Sequence, residues 1–170
     1  MRVGPNASYQ RTGTIMHEMG HNFAPGNYVT GSYGSGNGEW NWNEELFANF
    51  RMYYALCRTG YKVYMNNTVY TGAQIADMYR KSYEETLARG IASDGDGLMY
   101  VMTRMADTEG WEPFRKAFRE LYGLDPAVSC GATKWEKIDC FFSVVSRYAS
   151  KDLLETYFTP AQIAALKTLK

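Results

Sequence analysis

His17-Glu18-Met19-Gly20-His21, followed further along by Asn43-Glu44-Glu45-Leu46-Phe47-Ala48-Asn49-Phe50, decides how this chain reads. The first stretch falls in a helix expected over residues 12–23, with Thr12 or Thr14 near its start. Residues four apart share a helix face, so His17 and His21 present two imidazoles to one point. Such a pair can hold one Zn²⁺ at about 2.0–2.1 Å. Glu18 stands beside that row, where a carboxylate can take a proton from a metal-bound water. The chain has two histidines in 170 residues. Chance puts them four apart with a Glu after the first about once in a thousand, so the motif outweighs two unrelated helix histidines.

A catalytic zinc takes three protein ligands and keeps one position open. With both histidines used and no Cys close by, the third ligand is expected to be a carboxylate. The second stretch supplies two. Asn43 is a plausible N-cap, and acidic residues suit the positive end of a helix that should run to about Cys57, with Gly60 just beyond. Adjacent helical residues point about 100° apart, so one of Glu44 and Glu45 faces the metal. One turn beyond Glu45 is Asn49, able to hydrogen-bond a ligating His; one turn beyond Glu44 is Ala48, which is not. The choice falls on Glu45, and Glu44 is left to helix-end electrostatics.

Outward from these stretches the chain reads as one mainly α domain over 1–170, with a small β-hairpin. Tyr61, Val63, Tyr64, Val69 and Tyr70 around Asn66-Asn67 mark the hairpin. Helices are expected over about 72–89, over 97–108 with Asp96 as cap, and from Pro113 to Tyr122. Thr133 with Glu136 and Thr159 with Gln162 are capping boxes, and Ser150 can start a short helix between them. Trp111, Phe114, Phe118, Phe141 and Phe142, and the stripe Met99, Met102, Met105, read as core.

Composition narrows function by exclusion. Lys plus Arg equals Asp plus Glu at 18 each, so there is no electrostatic footprint for nucleic acid or an anionic membrane. No apolar run approaches the ~20 residues of a membrane span. The N-terminus has no apolar signal-peptide core. Among Cys57, Cys130 and Cys140, a Cys130–Cys140 bridge and three free thiols fit the sequence equally.

Other features carry a sharp and a bland reading. Tyr28, Tyr33, Trp40 and Trp42, in or beside the loop between the two key stretches, could contact substrate, or the tryptophans could plug the loop's base. Asp94-Gly95-Asp96-Gly97 suggests a calcium loop but lacks the acids an EF-hand needs at 92 and 103, so a turn with a helix cap is favoured. Peptide hydrolysis also needs a donor for the oxyanion; with both histidines used, a Tyr, an Arg or a backbone N–H must serve.

His17-Glu18-x-x-His21 followed by Glu45 resembles the glutamate-ligand zincins, or gluzincins. More closely, three stretches resemble the viral-enhancin-like metallopeptidases, family sixty, which include mucin-degrading bacterial enzymes. They are His17-Glu18-Met19-Gly20-His21-Asn22-Phe23, Glu45-Leu46-Phe47-Ala48-Asn49, and the set Gly110-Trp111-Glu112-Pro113-Phe114 with Lys137-Ile138-Asp139, Asp152-Leu153 and Tyr157-Phe158. The resemblance spans about residues 12–160. It implies a gluzincin-type helical catalytic domain, zinc on His17, His21 and Glu45, and catalysis by Glu18. It also implies a secreted or cell-surface setting and protein or glycoprotein substrates, often mucin-like and O-glycosylated. Family catalytic regions carry a β-containing part before the metal helix, so the chain reads as the C-terminal part of a longer catalytic module. The alternative is a glycoprotein-binding module that keeps the metal but does not cleave.

Overall fold

The structure, a computed structural model, describes residues 13, 15–23, 40–65, 68–122 and 130–170. These residues are mainly helical. Helix α1 covers 15–21. Helix α2 (Glu44–Thr59) leads to an antiparallel pair, β1 (Val63–Met65) and β2 (Thr68–Tyr70), with Val63 opposite Tyr70 and Met65 opposite Thr68. Then follow α3 (Gly72–Glu85), a 3-10 turn Leu87–Arg89, α4 (Asp96–Glu109), α5 (Glu112–Tyr122), α6 (Lys134–Ala149), α7 (Leu153–Tyr157) and α8 (Pro160–Leu166). No helix among the described residues is long and apolar enough to cross a membrane.

Local chemistry sets most boundaries. Asn43 Oδ1 accepts from the Leu46 N–H to start α2, and Gly60 ends it at φ 68° with its N–H on the Leu56 carbonyl. Thr71–Gln74, Thr133–Glu136 and Thr159–Gln162 are reciprocal capping boxes. Three expectations shift. The helix expected over 72–89 breaks at Thr86, whose hydroxyl donates to the Ser82 carbonyl before the chain tightens into the 3-10 turn. Asp96 is the first residue of α4, not its cap; Gly95 holds the cap position without a side-chain bond. Ser150 closes α6 in the left-handed region, and Asp152 caps α7 instead.

Helix α2 runs through the middle, burying Leu46, Phe47, Phe50, Met52, Tyr53 and Leu56 against α3, α4 and the aromatic centre. Helices α3 and α4 form one layer beside it, and α5 with α6 another. Phe47 has zero exposure and meets Trp40, Trp42, Phe118 and Phe141 at ring-centroid distances of 4.7–6.0 Å. Each buried side chain of this size contributes roughly 1.5–3 kcal/mol. The Met99, Met102, Met105 stripe is fully buried in the same core.

One polar pin fixes the start of α2. The Asp94 carbonyl accepts from Trp42 Nε1 and from Asn43 Nδ2, both at 3.1 Å. The Asp94 carboxylate takes Lys134 at the start of α6. The Asp94-Gly95-Asp96-Gly97 loop therefore holds helix ends in register, and that work accounts for its acidic residue at 94.

Candidate metal centre

Helices α1 and α2 cross in backbone contact. A Cβ on Gly20 would lie 2.7 Å from the Ala48 carbonyl oxygen and 2.9 Å from the Ala48 Cα. Only glycine permits this approach. Arg51 secures the crossing by donating from Nη1 to the Gly20 carbonyl at 3.0 Å. The crossing sets His17 and His21 over the first turns of α2.

Three donor atoms converge there. His17 Nε2 and His21 Nε2 are 3.1 Å apart. Glu45 brings Oε2 to 3.0 Å from His17 Nε2 and Oε1 to 3.5 Å from His21 Nε2. A tetrahedral ion with bonds of about 2.0–2.1 Å separates its ligand atoms by roughly 3.3 Å, so the spacing suits one zinc. The cluster grades from buried to wet: His21 is 3% exposed and Glu45 70%.

One surrounding hydrogen bond bears on the tautomer of His17. Asn49 Oδ1 accepts from His17 Nδ1 at 2.9 Å, which leaves the lone pair on Nε2. The Glu44 carboxylate lies 3.4 Å from His21 Nδ1, within ion-pair range but without a hydrogen bond between them. His17 Nε2, His21 Nε2 and the Glu45 carboxylate gather at one spot, a donor set that could hold one cation. The residues fit a divalent metal by donor chemistry as well as by spacing.

Glu44 differs from its expected role. It is nearly buried and held by Arg51 Nη1 at 2.6 Å and by the Asn41 side-chain amide. Its carboxylate supports His21 as well as the helix end. Gly20, Arg51 and Asn41 completed the site without being singled out in the sequence. The signals were present: a glycine between the two histidines, and an arginine seven residues past Glu44 on its own face.

The remaining expected site residues are placed as follows. Glu18 is exposed beside His17, outside the α1–α2 contact. Trp40 and Trp42 are 1% and 6% exposed among Phe47, Phe118 and Phe141, so they are core and cannot stack on a substrate. This corrects the substrate-contact expectation for that pair, because their ring surface is spent on the aromatic centre. Tyr28 and Tyr33 lie outside the described residues, as does the Asn66-Asn67 turn. Cys130 and Cys140 form a disulfide, and Cys57 is a free, exposed thiol.

Several of the fourteen tyrosines are committed elsewhere. Tyr53 donates to Asp107 Oδ1 at 2.6 Å, and burial followed by that bond pushes its phenol well above its usual range. Tyr148 donates to Glu120 and Tyr157 to Glu109. Tyr83 accepts from Gln162. Tyr53, Tyr148 and Tyr157, whose phenol protons are already given to carboxylates, are poor oxyanion donors. Compared with family models, curated proteins and solved structures, the chain matches none.

Proposed function

We propose that this chain is a zinc-dependent endopeptidase domain of the gluzincin type, acting on protein or glycoprotein substrates. The observation that carries the reading is the convergence of His17 Nε2, His21 Nε2 and the Glu45 carboxylate within about one tetrahedral edge of each other. These three residues would hold the ion. When bound, zinc supplies a Lewis acid for the scissile carbonyl and a water of lowered pKa.

The chain's own residues do the rest. Glu18, exposed and next to His17 in α1, would accept a proton from the attacking water and return it to the leaving amide nitrogen. Asn49 keeps the His17 proton on Nδ1 and the lone pair on Nε2. Glu44 stands beside His21 Nδ1 at 3.4 Å, and Arg51 keeps Glu44 in place. The low exposure of His21 and Glu44 limits competing water on that side.

The motif resemblance to the enhancin-like family supports O-glycosylated, mucin-like substrates and an extracellular setting. The Cys130–Cys140 bridge suits such an oxidising compartment. The test is elemental analysis together with cleavage of a mucin-type glycoprotein before and after deglycosylation. We expect about one zinc per chain. Glu18→Gln should keep that zinc and lose cleavage. A protein without stoichiometric zinc sinks the proposal. Zinc with tight glycoprotein binding and no cleavage favours the binding-module reading instead.

A further inference from the structure

Helices α2 and α5 meet through rings and leave a groove between them. Phe50, Tyr54, Trp111, Phe114 and Phe118 line it, with Tyr54 and Trp111 at 4.9 Å and Phe50 and Trp111 at 5.3 Å between centroids. A cavity of about 280 Å³ lies at its floor, and a second of about 480 Å³ adjoins it around Arg58 and Glu112, sharing Tyr54, Trp111 and Arg115.

The rim is cationic. Arg51, Arg58, Arg115 and Arg119 line the two cavities, against a single acid, Glu112. Arg51 is committed to Glu44, and Arg115 to Glu112. Among the described residues Arg58 and Arg119 have no acidic partner. In a chain of zero net charge, this is a local surplus beside apolar rings. Exposed guanidinium groups beside such a floor suit carboxylates, because the planar fork can pair with them bidentately. Arg51 also ties one end of the groove to the metal centre, since it holds Glu44 behind His21.

We infer that this groove binds an extended acidic polypeptide segment. One apolar side chain rests among the half-buried Tyr54, Trp111 and Phe118, and flanking carboxylates pair with Arg58 and Arg119. Calling that segment substrate rests on the peptidase reading; the binding itself does not.

The test is calorimetric titration of the whole chain, zinc-loaded and chelated, with the peptide acetyl-Asp-Glu-Leu-Glu-Asp-amide and its Asn/Gln counterpart. The acidic peptide should bind about tenfold tighter than the neutral one. Arg58→Gln and Arg119→Gln should each weaken it about fivefold, without changing melting temperature or zinc content. Equal affinity for the two peptides overturns the inference, as does acidic-peptide affinity untouched by both variants. Displacement of the peptide by equimolar inorganic phosphate or sialyllactose also overturns it, since that marks a small-anion site. Acidic-peptide binding without stoichiometric zinc sinks the peptidase reading and leaves the groove. Zinc and cleavage without acidic preference sinks the groove alone.

Discussion

Gly20→Ala separates two opposed effects at one atom. In an exposed helix interior, alanine is favoured over glycine by about 1 kcal/mol, so propensity alone predicts a more stable protein. Here the added Cβ lies 2.7 Å from the Ala48 carbonyl oxygen and 3.2 Å from its carbonyl carbon. The first falls about 0.7 Å short of ordinary contact. All the colliding atoms are backbone, so no side chain can swing away, and α1 must lift off α2. Overpacking of this kind costs about 1–3 kcal/mol, which cancels or exceeds the propensity gain. The proposed metal centre should suffer more, because zinc ligands tolerate about 0.2 Å and the histidines move with α1 while Glu45 stays on α2. We expect zinc affinity to fall about tenfold or more, measured by competition with a chromophoric chelator. Thermal unfolding should show no gain in stability. Ala48→Gly should fail to rescue the variant, since the obstruction is the main chain. A Gly20→Ala protein that binds zinc like the parent and melts higher would refute the reasoning.

Asn49→Ala removes the acceptor on His17 Nδ1 and should weaken zinc about 10–100-fold in the same competition assay, with Tm little changed once zinc is removed. Glu44→Ala leaves the Arg51 guanidinium without its carboxylate in a nearly buried place; urea unfolding should report a loss of about 3 kcal/mol, besides weaker zinc. Hydrogen bonds from Lys151 and Tyr157 hold the Glu109 carboxyl below the usual carboxylate range, and those from Tyr148 and Arg147 do the same for Glu120. Their stabilisation is present above the ordinary carboxylate pKa and is lost as pH falls through the lowered folded values. Melting temperature should therefore drop on acidification below about pH 4, and Glu120→Gln should make that drop shallower.

Legibility in the sequence followed the range of the interaction. Thr133, Thr159 and Asn43 bond within their own next turn, so the helix starts they set could be read from neighbours three residues away. Ser150 has the right chemistry for a cap but takes the left-handed turn that closes α6, a choice made by how α7 folds back on α6. His17, His21, Glu45 and Asn49 could be named because helical periodicity puts each pair on one face. The support by Glu44 and Arg51 could not, because it depends on the α1–α2 crossing, and the clue to that crossing was a single glycine. Trp40 and Trp42 were ambiguous for the same reason: their partners Phe118 and Phe141 lie some eighty to a hundred residues away in the chain.

The two halves of the proposed metal centre rest on unequal foundations. Glu45 and Asn49 belong to a long helix, capped at both ends and sunk in the aromatic core. His17 and His21 belong to α1, whose described side chains over 15–19 are exposed or half-buried and which meets α2 at the Gly20–Ala48 crossing. A metal joining them is therefore a clamp whose grip is felt almost entirely on one side. Chelation should speed amide exchange across residues 15–21 and leave the middle of α2 as slow as before. The ion would then organise the helix that carries the proposed general base, so metal loading and the placement of Glu18 become one event.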